Sequence, residues 1–319
     1  MKYIIGIDIG GTKTSVSLGN TQGKILARQA FPTKDVRSTL AQTKRIIHGY
    51  LGKPKTQNRR ILGIGISCAG PLDLTKGVLI KSPNMPTWRN VALNKVFSKA
   101  FRLPVVIDND ANAAALAEKT FGAGKAVKNL FYYTVSTGIG GGLIIDGEIY
   151  HGASFDAGEI GHSVILPAGP KCACGKRGCL EALASGTSIA RVARERVKKS
   201  SLILKLAGTK QNIDATIVAQ AVREGDKLAR EIFQEVAFYL GLSVTNVIQV
   251  INPEMIVIGG GVSKAGPILF QPMIKTVRKL TWARPYRSCK IVRAKLKDIV
   301  GDLGAISLVL KKRQLLKRQ

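Results

Sequence analysis

A chain of 319 residues is long enough to bury a large hydrophobic core, and this length suggests two domains or lobes. Hydrophobic residues make up 45% and charged residues 22% of the sequence, which is typical of globular proteins and argues against intrinsic disorder. The sequence contains no apolar run of about 18 residues and no secretory signal peptide, so we predict no membrane span and a cytoplasmic location.

The formal net charge is +29, from 49 Lys and Arg residues against 20 Asp and Glu residues. Such an excess attracts polyanions, which makes nucleic acid a candidate partner. The basic residues are spread along the whole chain, however, and no stripe of interleaved basic and aromatic residues stands out. We therefore predict small-molecule ligands and disfavour nucleic acid as the main partner.

The first half of the chain reads as a strand meander followed by alternating helices and strands. Strands are predicted at 2–9, 14–20 and 24–31, separated by the turn sequences GGTK and NTQG. A helical period follows at 38–51, a buried strand at 60–70 and another strand at 103–110. The Ala-rich segment 111–122 predicts a helix that ends at Gly122.

The same pattern begins again in the second half. A strand is predicted at 129–136, short strands within 143–150, a long helix at 229–251, and a strand at 254–263 that runs into a triple-glycine turn and a helix. Two meanders followed by helices predict two similar α/β lobes. We place the small lobe at 1–110 plus 300–319 and the large lobe at 111–299.

Three glycine-rich turns each follow a hydrophobic strand: GIDIGGTKT (6–14), STGIGGG (136–142) and IGGGVS (258–263). The first is not a P-loop, because the sequence after it alternates like a strand rather than a helix. Each turn alone is equally consistent with a purely structural turn, but the three together favour one nucleotide, since glycine lets backbone approach phosphate closely. The candidate phosphate-binding residues are Gly10, Gly11, Thr12, Lys13, Thr137, Gly138, Gly140, Gly260 and Gly261, with Asp8 as a candidate for Mg²⁺ or its waters.

Two carboxylates, Asp108 and Asp110, lie where a strand ends and a helix begins. Asp110 can cap the helix, and it can also accept the proton of a hydroxyl that attacks a γ-phosphate. The two roles are compatible in one residue.

Three of the five cysteines, Cys172, Cys174 and Cys179, lie within eight residues, and His162 precedes them. Three thiolates and an imidazole form a closed tetrahedral set, which indicates a structural zinc site rather than a catalytic one. Unpaired thiols remain the alternative. Glu159 and Glu181 flank the cluster, and we expect a zinc-held loop to present them to a polyhydroxyl ligand.

Read in order, these segments resemble the ROK family of sugar kinases and regulators over nearly the full length. The matching segments are DIGGTK (8–13), SPNMPTWRNV (82–91), NDAN (109–112), TGIGGGLIIDGEIYHG (137–152), AGEIGH (157–162), CACGKRGCLEALASG (172–186) and IGGG (258–261). The resemblance implies a two-lobed α/β fold of the actin/sugar-kinase/Hsp70 type (RNase H-like), with the active site in the inter-lobe cleft.

The resemblance also implies which residues meet the substrate. Sugar contacts are expected from Gly70, Asn84, Asn109, Asp110, Glu159, His162 and Glu181. Asp110 takes the position of the catalytic base. His162 is expected to bind zinc through one ring nitrogen and the sugar through the other.

The implied activity is the ATP-dependent phosphorylation of a hexose, glucose first, at its 6-hydroxyl, with ATP, Mg²⁺ and structural Zn²⁺ as cofactors and a homodimer as the assembly. An N-acetylhexosamine or fructose kinase is the alternative within the family, and polyphosphate stays open as a donor. A sugar-responsive regulator is less favoured, because the chain begins at the first phosphate strand without a preceding winged helix. A zinc-stabilised nucleic-acid-binding protein is suggested by the charge alone.

Overall fold

The computed structural model describes residues 2–52, 60–82, 85–198 and 200–316. Within these residues the strands form two five-stranded sheets and one three-stranded sheet. The strands are β1 (Lys2–Ile9), β2 (Lys13–Asn20), β3 (Ile25–Pro32), β4 (Arg60–Cys68), β5 (Leu72–Asp73), β6 (Val78–Ser82), β7 (Met85–Val91), β8 (Val105–Asn109), β9 (Leu130–Val135), β10 (Ile139–Ile145), β11 (Glu148–Ile149), β12 (Met255–Gly259) and β13 (Lys290–Arg293).

Several helices begin where the sequence supplies a capping side chain. The Asp35 carboxylate accepts the Ser38 N–H at 3.0 Å before the first helix, and Asp226 accepts the Ala229 N–H at 2.8 Å before the longest one. None of the described helices combines the length and apolar character needed to cross a bilayer. The helices are α1 (Val36–Leu51), α2 (Leu93–Phe101), α3 (Asp110–Thr120), α4 (Leu180–Ala184), α5 (Gly186–Arg196), α6 (Leu202–Ala207), α7 (Ala215–Arg223), α8 (Lys227–Ile251), α9 (Pro267–Leu280), α10 (Ala283–Ser288) and α11 (Val300–Leu316), with 3₁₀ helices at Ile160–His162, Val262–Ala265 and Lys297–Ile299.

The first sheet has the order β3-β2-β1-β4-β8. β1, β2 and β3 form the predicted antiparallel meander, and β4 and β8 continue the sheet in parallel. Consecutive residues of β1, Ile4 and Ile5, are both fully buried, so this strand is covered on both faces. The strands predicted at 2–9, 14–20, 24–31, 60–70 and 103–110 are thereby confirmed.

The second sheet has the order β11-β10-β9-β12-β13, with β12 parallel to both β9 and β13. It therefore repeats the strand order of the first sheet, which confirms the predicted internal similarity and the two-lobed α/β fold class. One detail of the sequence interpretation is wrong. We read 136–142 as a turn, but β10 already begins at Ile139, so Gly140 lies in a strand. Glycines occur there because a Cβ on neighbouring Gly141 would lie only 2.7 Å from the Phe131 ring.

Two compact units emerge from the internal contacts. The first contains Met1–Lys128, Gly142–Ala157 and Lys295–Gln319, and the second contains Asn129–Gly141 and Gly158–Ala294. This division differs from the predicted lobe boundaries, since residues 111–128 and 142–157 group with the N-terminal unit. The physical reason is that α3 packs along α11: a Cβ on Gly304 would lie 2.9 Å from the Ala113 carbonyl oxygen.

The last helix, α11, lies directly against the backbone of the first sheet. A Cβ on Gly6 of β1 would lie 3.0 Å from the Asp302 carbonyl oxygen, and a Cβ on Gly65 of β4 would overlap the Ala305 carbonyl. Side chains at these strand positions would push the helix away. Glycine is therefore required here by close approach, and the approach brings the start of α11 to the end of β1.

The first prediction tests this close packing. We expect Gly65→Ala to lower the free energy of unfolding by about 1–3 kcal/mol, because the added methyl group has no room beside the Ala305 carbonyl. Denaturant unfolding followed by circular dichroism measures the change.

Gly49→Ala is the matched control. Gly49 lies in α1, and none of the described residues has an atom within 4 Å of the added Cβ, so alanine should raise the free energy of unfolding by about 0.5–1 kcal/mol through its helix propensity. Similar effects of the two substitutions would contradict the packing argument.

Candidate active site and metal cluster

Polar residues of three parallel strands lie side by side at one edge of the first sheet. Asp8 of β1 pairs in register with Ser67 of β4, and Ser67 pairs with Asp108 of β8. Residues in register on neighbouring strands project to the same face, so these three side chains form one row. The carboxyl ends of parallel strands are where α/β proteins place ligands.

Asp8 is the first carboxylate of this row. It accepts a hydrogen bond from the Ser67 hydroxyl at 2.8 Å, and a Cβ on Gly301 of α11 would overlap its carboxylate. Burial raises the pKa of Asp8 to about 7, with Asp110 and Asp302 adding to the rise, while the Ser67 bond and Lys13 oppose it. A divalent cation at Asp8 would replace a partly bound proton, which suits the predicted magnesium position.

The β1–β2 turn holds the first set of predicted phosphate ligands. The Gly10 N–H donates to the Lys13 carbonyl at 3.1 Å, and the Thr33 hydroxyl donates to the Gly10 carbonyl at 2.7 Å. Thr12 and Lys13 are exposed at the tip. The turn is thus braced from β3, and its hydroxyl and ammonium groups remain accessible to an anion.

Asn109 and Asp110 lie where β8 passes into α3. The Asn109 side chain caps the helix by accepting the Ala111 N–H at 2.8 Å, so the cap that we had considered for Asp110 belongs mainly to its neighbour. Asp110 is half-buried and also accepts the Ala111 N–H, at 2.9 Å. Burial raises the pKa of Asp110, which makes the carboxylate a better proton acceptor near neutral pH.

Sequence reasoning missed a partner of this segment. His151 Nε2 lies 2.7 Å from Asp108 Oδ2, while Asp108 Oδ1 accepts the backbone N–H of Asn109 at 2.8 Å. The hydrogen bond to Asp108 raises the pKa of His151. Asp108 therefore fixes the backbone that carries Asp110, and His151 fixes Asp108. The signal in the sequence was His151 itself, which lies inside the ROK-like segment 137–152 and which we did not consider.

In the second unit, the turn before β10 is tied to Glu181 of α4. The Ser136 N–H donates to the Gly138 carbonyl at 2.8 Å, and one Glu181 oxygen accepts the Ile139 N–H at 2.9 Å. A Cβ on Gly138 would overlap that carboxylate. Glu181, which we had predicted only as a sugar ligand, thus also shapes a predicted phosphate turn. Thr137 is exposed beside it, and its carbonyl accepts the Thr187 hydroxyl.

The third glycine turn follows β12. Gly260 has φ +85°, and a Cβ there would overlap the Val135 carbonyl, so this position requires glycine. Gly261 begins the 3₁₀ helix Val262–Ala265 with ordinary helical φ, and a Cβ there would meet nothing closer than 3.7 Å. The turn therefore leads first into a single 3₁₀ turn and only then into α9.

The four predicted zinc ligands come together in the second unit. Ligand atoms of His162, Cys172, Cys174 and Cys179 all lie within 4.8 Å of one another. The Cys174 and Cys179 sulfurs are 3.7 Å apart, and zinc with Zn–S bonds of about 2.3 Å holds tetrahedral sulfur ligands about 3.8 Å apart. Burial raises the pKa of Cys179 to about 12, so a cation is needed to keep its thiolate. The residues fit a zinc ion.

The remaining predicted sugar ligands lie at separate places along the chain. Gly70 follows β4 with φ +124°, and a Cβ there would lie 2.6 Å from the Lys81 carbonyl oxygen. Glu159 is exposed, and its carbonyl accepts the His162 N–H at 3.0 Å, which places it directly before the metal cluster. Asn84 lies outside the described residues.

Comparisons with known proteins identify the family of this chain. The ROK family model matches residues 4–312. The chain belongs to the ROK family. A glucokinase from Thermotoga maritima is 39% identical over 308 residues, which cover 96% of this chain and 96% of the relative.

Two further relatives show the range of the family. A crystal structure of a ROK family glucokinase from Streptomyces griseus, in complex with glucose and AMPPNP, matches with a TM-score of 0.81 and 30% identity, covering 97% of this chain and 99% of that one. A xylose repressor from Caldicellulosiruptor bescii is 34% identical, over 96% of this chain and 78% of the repressor. Similarity therefore extends to both kinases and regulators.

The second prediction concerns His151. Its raised pKa means that pairing with Asp108 stabilises the fold fully below about pH 6.5, and that this stabilisation is lost as pH rises through the folded-state pKa. We expect His151→Gln to lower the free energy of unfolding by about 1 kcal/mol at pH 6 and by less at pH 9. Denaturant unfolding at each pH measures the change. In an Asp108→Asn background the pH-dependent part should vanish, and its persistence would contradict the pairing.

Proposed function

We propose that this chain is an ATP-dependent hexose kinase that transfers the γ-phosphoryl group to the 6-hydroxyl of glucose. The observation that carries the proposal is Asp110, a half-buried carboxylate with a raised pKa at the junction of β8 and α3. It occurs in a chain that is 39% identical to a glucokinase over nearly its full length. A proton acceptor in a fixed position is what phosphoryl transfer to an alcohol needs.

The proposal assigns sugar contacts to residues in each unit separately. Asn109 and Gly70 act from the first unit, and Glu159, His162 and Glu181 act from the second. One Glu181 oxygen accepts the Ile139 N–H, which leaves the other oxygen for a sugar hydroxyl. Asn84 is included because of the family resemblance alone.

The chemical step is an in-line displacement. The C6 oxygen forms a bond to the γ-phosphorus while the bond from that phosphorus to the β,γ-bridging oxygen breaks, and Asp110 takes the hydroxyl proton. The products are the hexose 6-phosphate and ADP. Asp108 and His151 keep Asp110 in place through the backbone of Asn109, which lowers the entropy cost of reaching the reactive geometry.

The glycine turns serve the nucleotide. Backbone amides near Gly10, Gly11, Gly138, Gly140, Gly260 and Gly261 approach the phosphates, and Thr12, Lys13 and Thr137 add hydroxyl and ammonium donors. Magnesium bound with the nucleotide would supply positive charge for the phosphoryl oxygens, and Asp8 would hold it or its waters. The raised pKa of Asp8 makes that affinity fall in acid.

A structural zinc ion is part of the proposal. Its tetrahedral bonds would fix His162 with one ring nitrogen on the metal and leave the other for a sugar hydroxyl. Cys179 directly precedes α4, which carries Glu181, so the same cluster would anchor two sugar-binding residues.

A sugar-responsive regulator is the second candidate, favoured by the 34% identity to a xylose repressor. N-acetylhexosamine and fructose remain alternative substrates, and polyphosphate an alternative donor. We also propose a homodimer. Large apolar side chains exposed in the second unit support it, among them Val250 (80% exposed) and Trp282 (78%). Light scattering on the purified chain measures the assembly.

The third prediction tests the activity. With ATP and Mg²⁺, purified protein should release ADP fastest with glucose among glucose, N-acetylglucosamine, N-acetylmannosamine and fructose, and a parallel series should replace ATP by polyphosphate. Binding of a sugar without any turnover would favour the regulator instead. Faster turnover with another sugar would change the assigned substrate.

In the same assay, Asp110→Asn should leave glucose binding largely intact but lower kcat by at least about 10²-fold, because an amide cannot accept the proton. Asp214→Asn is the matched control. Like Asp110, Asp214 is an acidic residue at the start of a helix, where it accepts the Ile217 N–H, but it is not a residue of the proposed site. Near-normal turnover of Asp110→Asn would remove it from the base role.

The fourth prediction concerns the metal. We expect elemental analysis to find about one zinc ion per chain. The zinc should be lost in Cys174→Ala and retained in Cys289→Ala, because Cys174 belongs to the cluster and Cys289 does not. Loss of zinc should raise the KM for the sugar more than it lowers kcat, since the metal positions binding residues rather than the base. Full zinc content in Cys174→Ala would refute the ligand set.

A further inference from the structure

The first unit contains a pocket of about 320 Å³ that none of the candidate site residues lines. Its walls come from the last turn of α3, the turn between β10 and β11, and the second half of α11. Three lysines, Lys119, Lys128 and Lys311, line it together with the carboxylates of Asp146 and Glu148 and the hydroxyl-bearing Ser307. The pocket thus combines cationic groups with hydrogen-bond acceptors.

Two of the ammonium groups are held in place at the pocket wall. Lys311 Nζ donates to the Gly147 carbonyl at 2.9 Å and pairs with the Glu148 carboxylate. Lys119 Nζ donates to the Lys125 carbonyl at 3.2 Å. Because these contacts already restrict the side chains, a ligand would meet preorganised donors and lose less affinity to ordering them.

Ser307 supplies the second observation. Its side chain is only 1% exposed, and among the described residues its hydroxyl has no hydrogen-bond partner. Buried hydroxyl groups nearly always have a partner, because leaving one unpaired costs free energy. Because Ser307 lines the pocket, rotation of its hydroxyl towards the pocket would let a polar ligand there provide the missing partner.

The lining chemistry selects the ligand class. Lysines favour an anion, while carboxylates beside them favour a ligand that also carries hydroxyl donors. None of the described residues that line the pocket is aromatic, so none of them would stack on a nucleobase. A small phosphorylated polyol satisfies both requirements.

Each element around the pocket also has a residue at or near the candidate active-site carboxylates Asp8, Asp108 and Asp110. α3 begins at Asp110, α11 begins with its Gly301 against Asp8, and the chain after β11 reaches His151, which binds Asp108. α3 and α11 touch closely at Ala113 and Gly304, ahead of the pocket. A ligand in the pocket that changes the spacing of the two helices would tilt them about the Ala113–Gly304 contact. That tilt would move the opposite helix ends, which carry Asp110 and Gly301.

We infer that this pocket is a second ligand site, which binds a small sugar phosphate and couples it to the catalytic ends of α3 and α11. The site goes beyond the proposed function. Binding does not depend on that function, and only the turnover measurement below rests on it.

The test is calorimetric titration of glucose 6-phosphate into the full chain already saturated with glucose, which occupies the sugar site. Lys119→Gln and Lys311→Gln should each weaken binding by at least about 10-fold. Lys312→Gln is the control, because it removes the same charge from the exposed neighbour of Lys311, which does not line the pocket. Equal affinities in all three variants would overturn the site, as would inorganic phosphate binding as tightly as the sugar phosphate.

Hydrogen exchange locates the bound molecule independently of activity. At a glucose 6-phosphate concentration just sufficient to fill most of the wild-type sites, exchange should slow in 113–124, 143–150 and 303–315 in wild type and in Lys312→Gln, and much less in Lys119→Gln. The same concentration should change glucose turnover at least about twofold in the first two proteins, and by less in Lys119→Gln. Protection confined to other segments overturns the site, and unchanged turnover overturns the coupling.

Ser307→Ala separates a ligand role from a structural one. Removing an unpaired buried hydroxyl should leave the Tm of the ligand-free chain unchanged or higher, while lowering affinity for glucose 6-phosphate about fivefold. A lower Tm with unchanged affinity would show that the hydroxyl serves the fold and would remove it from the site.

Discussion

The close approach of one glycine-bearing helix to a glycine-bearing sheet is the constraint on which the first unit depends. Gly6 and Gly65 remove side chains from β1 and β4 where α11 lies, and Gly301 and Gly304 remove them from α11 itself. Because the helix comes within backbone contact distance, its first turn lies against Asp8 and its flank lies against α3. The positions of Asp8 and Asp110 therefore follow from packing rather than from any direct bond between them.

Local burial, not the overall charge of the chain, sets the electrostatics of this site. The protein carries a net charge of +29, yet burial raises the pKa values of both Asp8 and Asp110. The buried Asp302 carboxylate, in contrast, accepts hydrogen bonds from Ser15 and Arg28 at 2.8 and 2.7 Å. Carboxylates taken out of water without such partners hold protons more tightly, and distant surface lysines offset this little because solvent screens them.

Short sequence patterns predicted many of the strands and helices of this protein, but they did not predict contacts between residues far apart in the sequence. Alternation, turn residues and cysteine spacing predicted the two meanders and the cluster of four candidate metal ligands, since each signal lies within a short stretch. The His151–Asp108 pair spans 43 residues and the Arg28–Asp302 pair 274, so only tertiary packing reveals them. Residues 136–142 were assigned to a turn because a glycine required by a packed neighbour, such as Gly141 beside Phe131, looks in sequence like one required by a bend.

The in-register row of Asp8, Ser67 and Asp108 has a consequence for how this chain can change over evolution. Side chains of a strand alternate between faces, so inserting or deleting a single residue within β1, β4 or β8 would turn the polar group towards the opposite side. Selection should thus remove insertions and deletions from these three strands, even at positions where one amino acid can replace another. Gene duplicates that acquire new roles would have to diverge by substitution there.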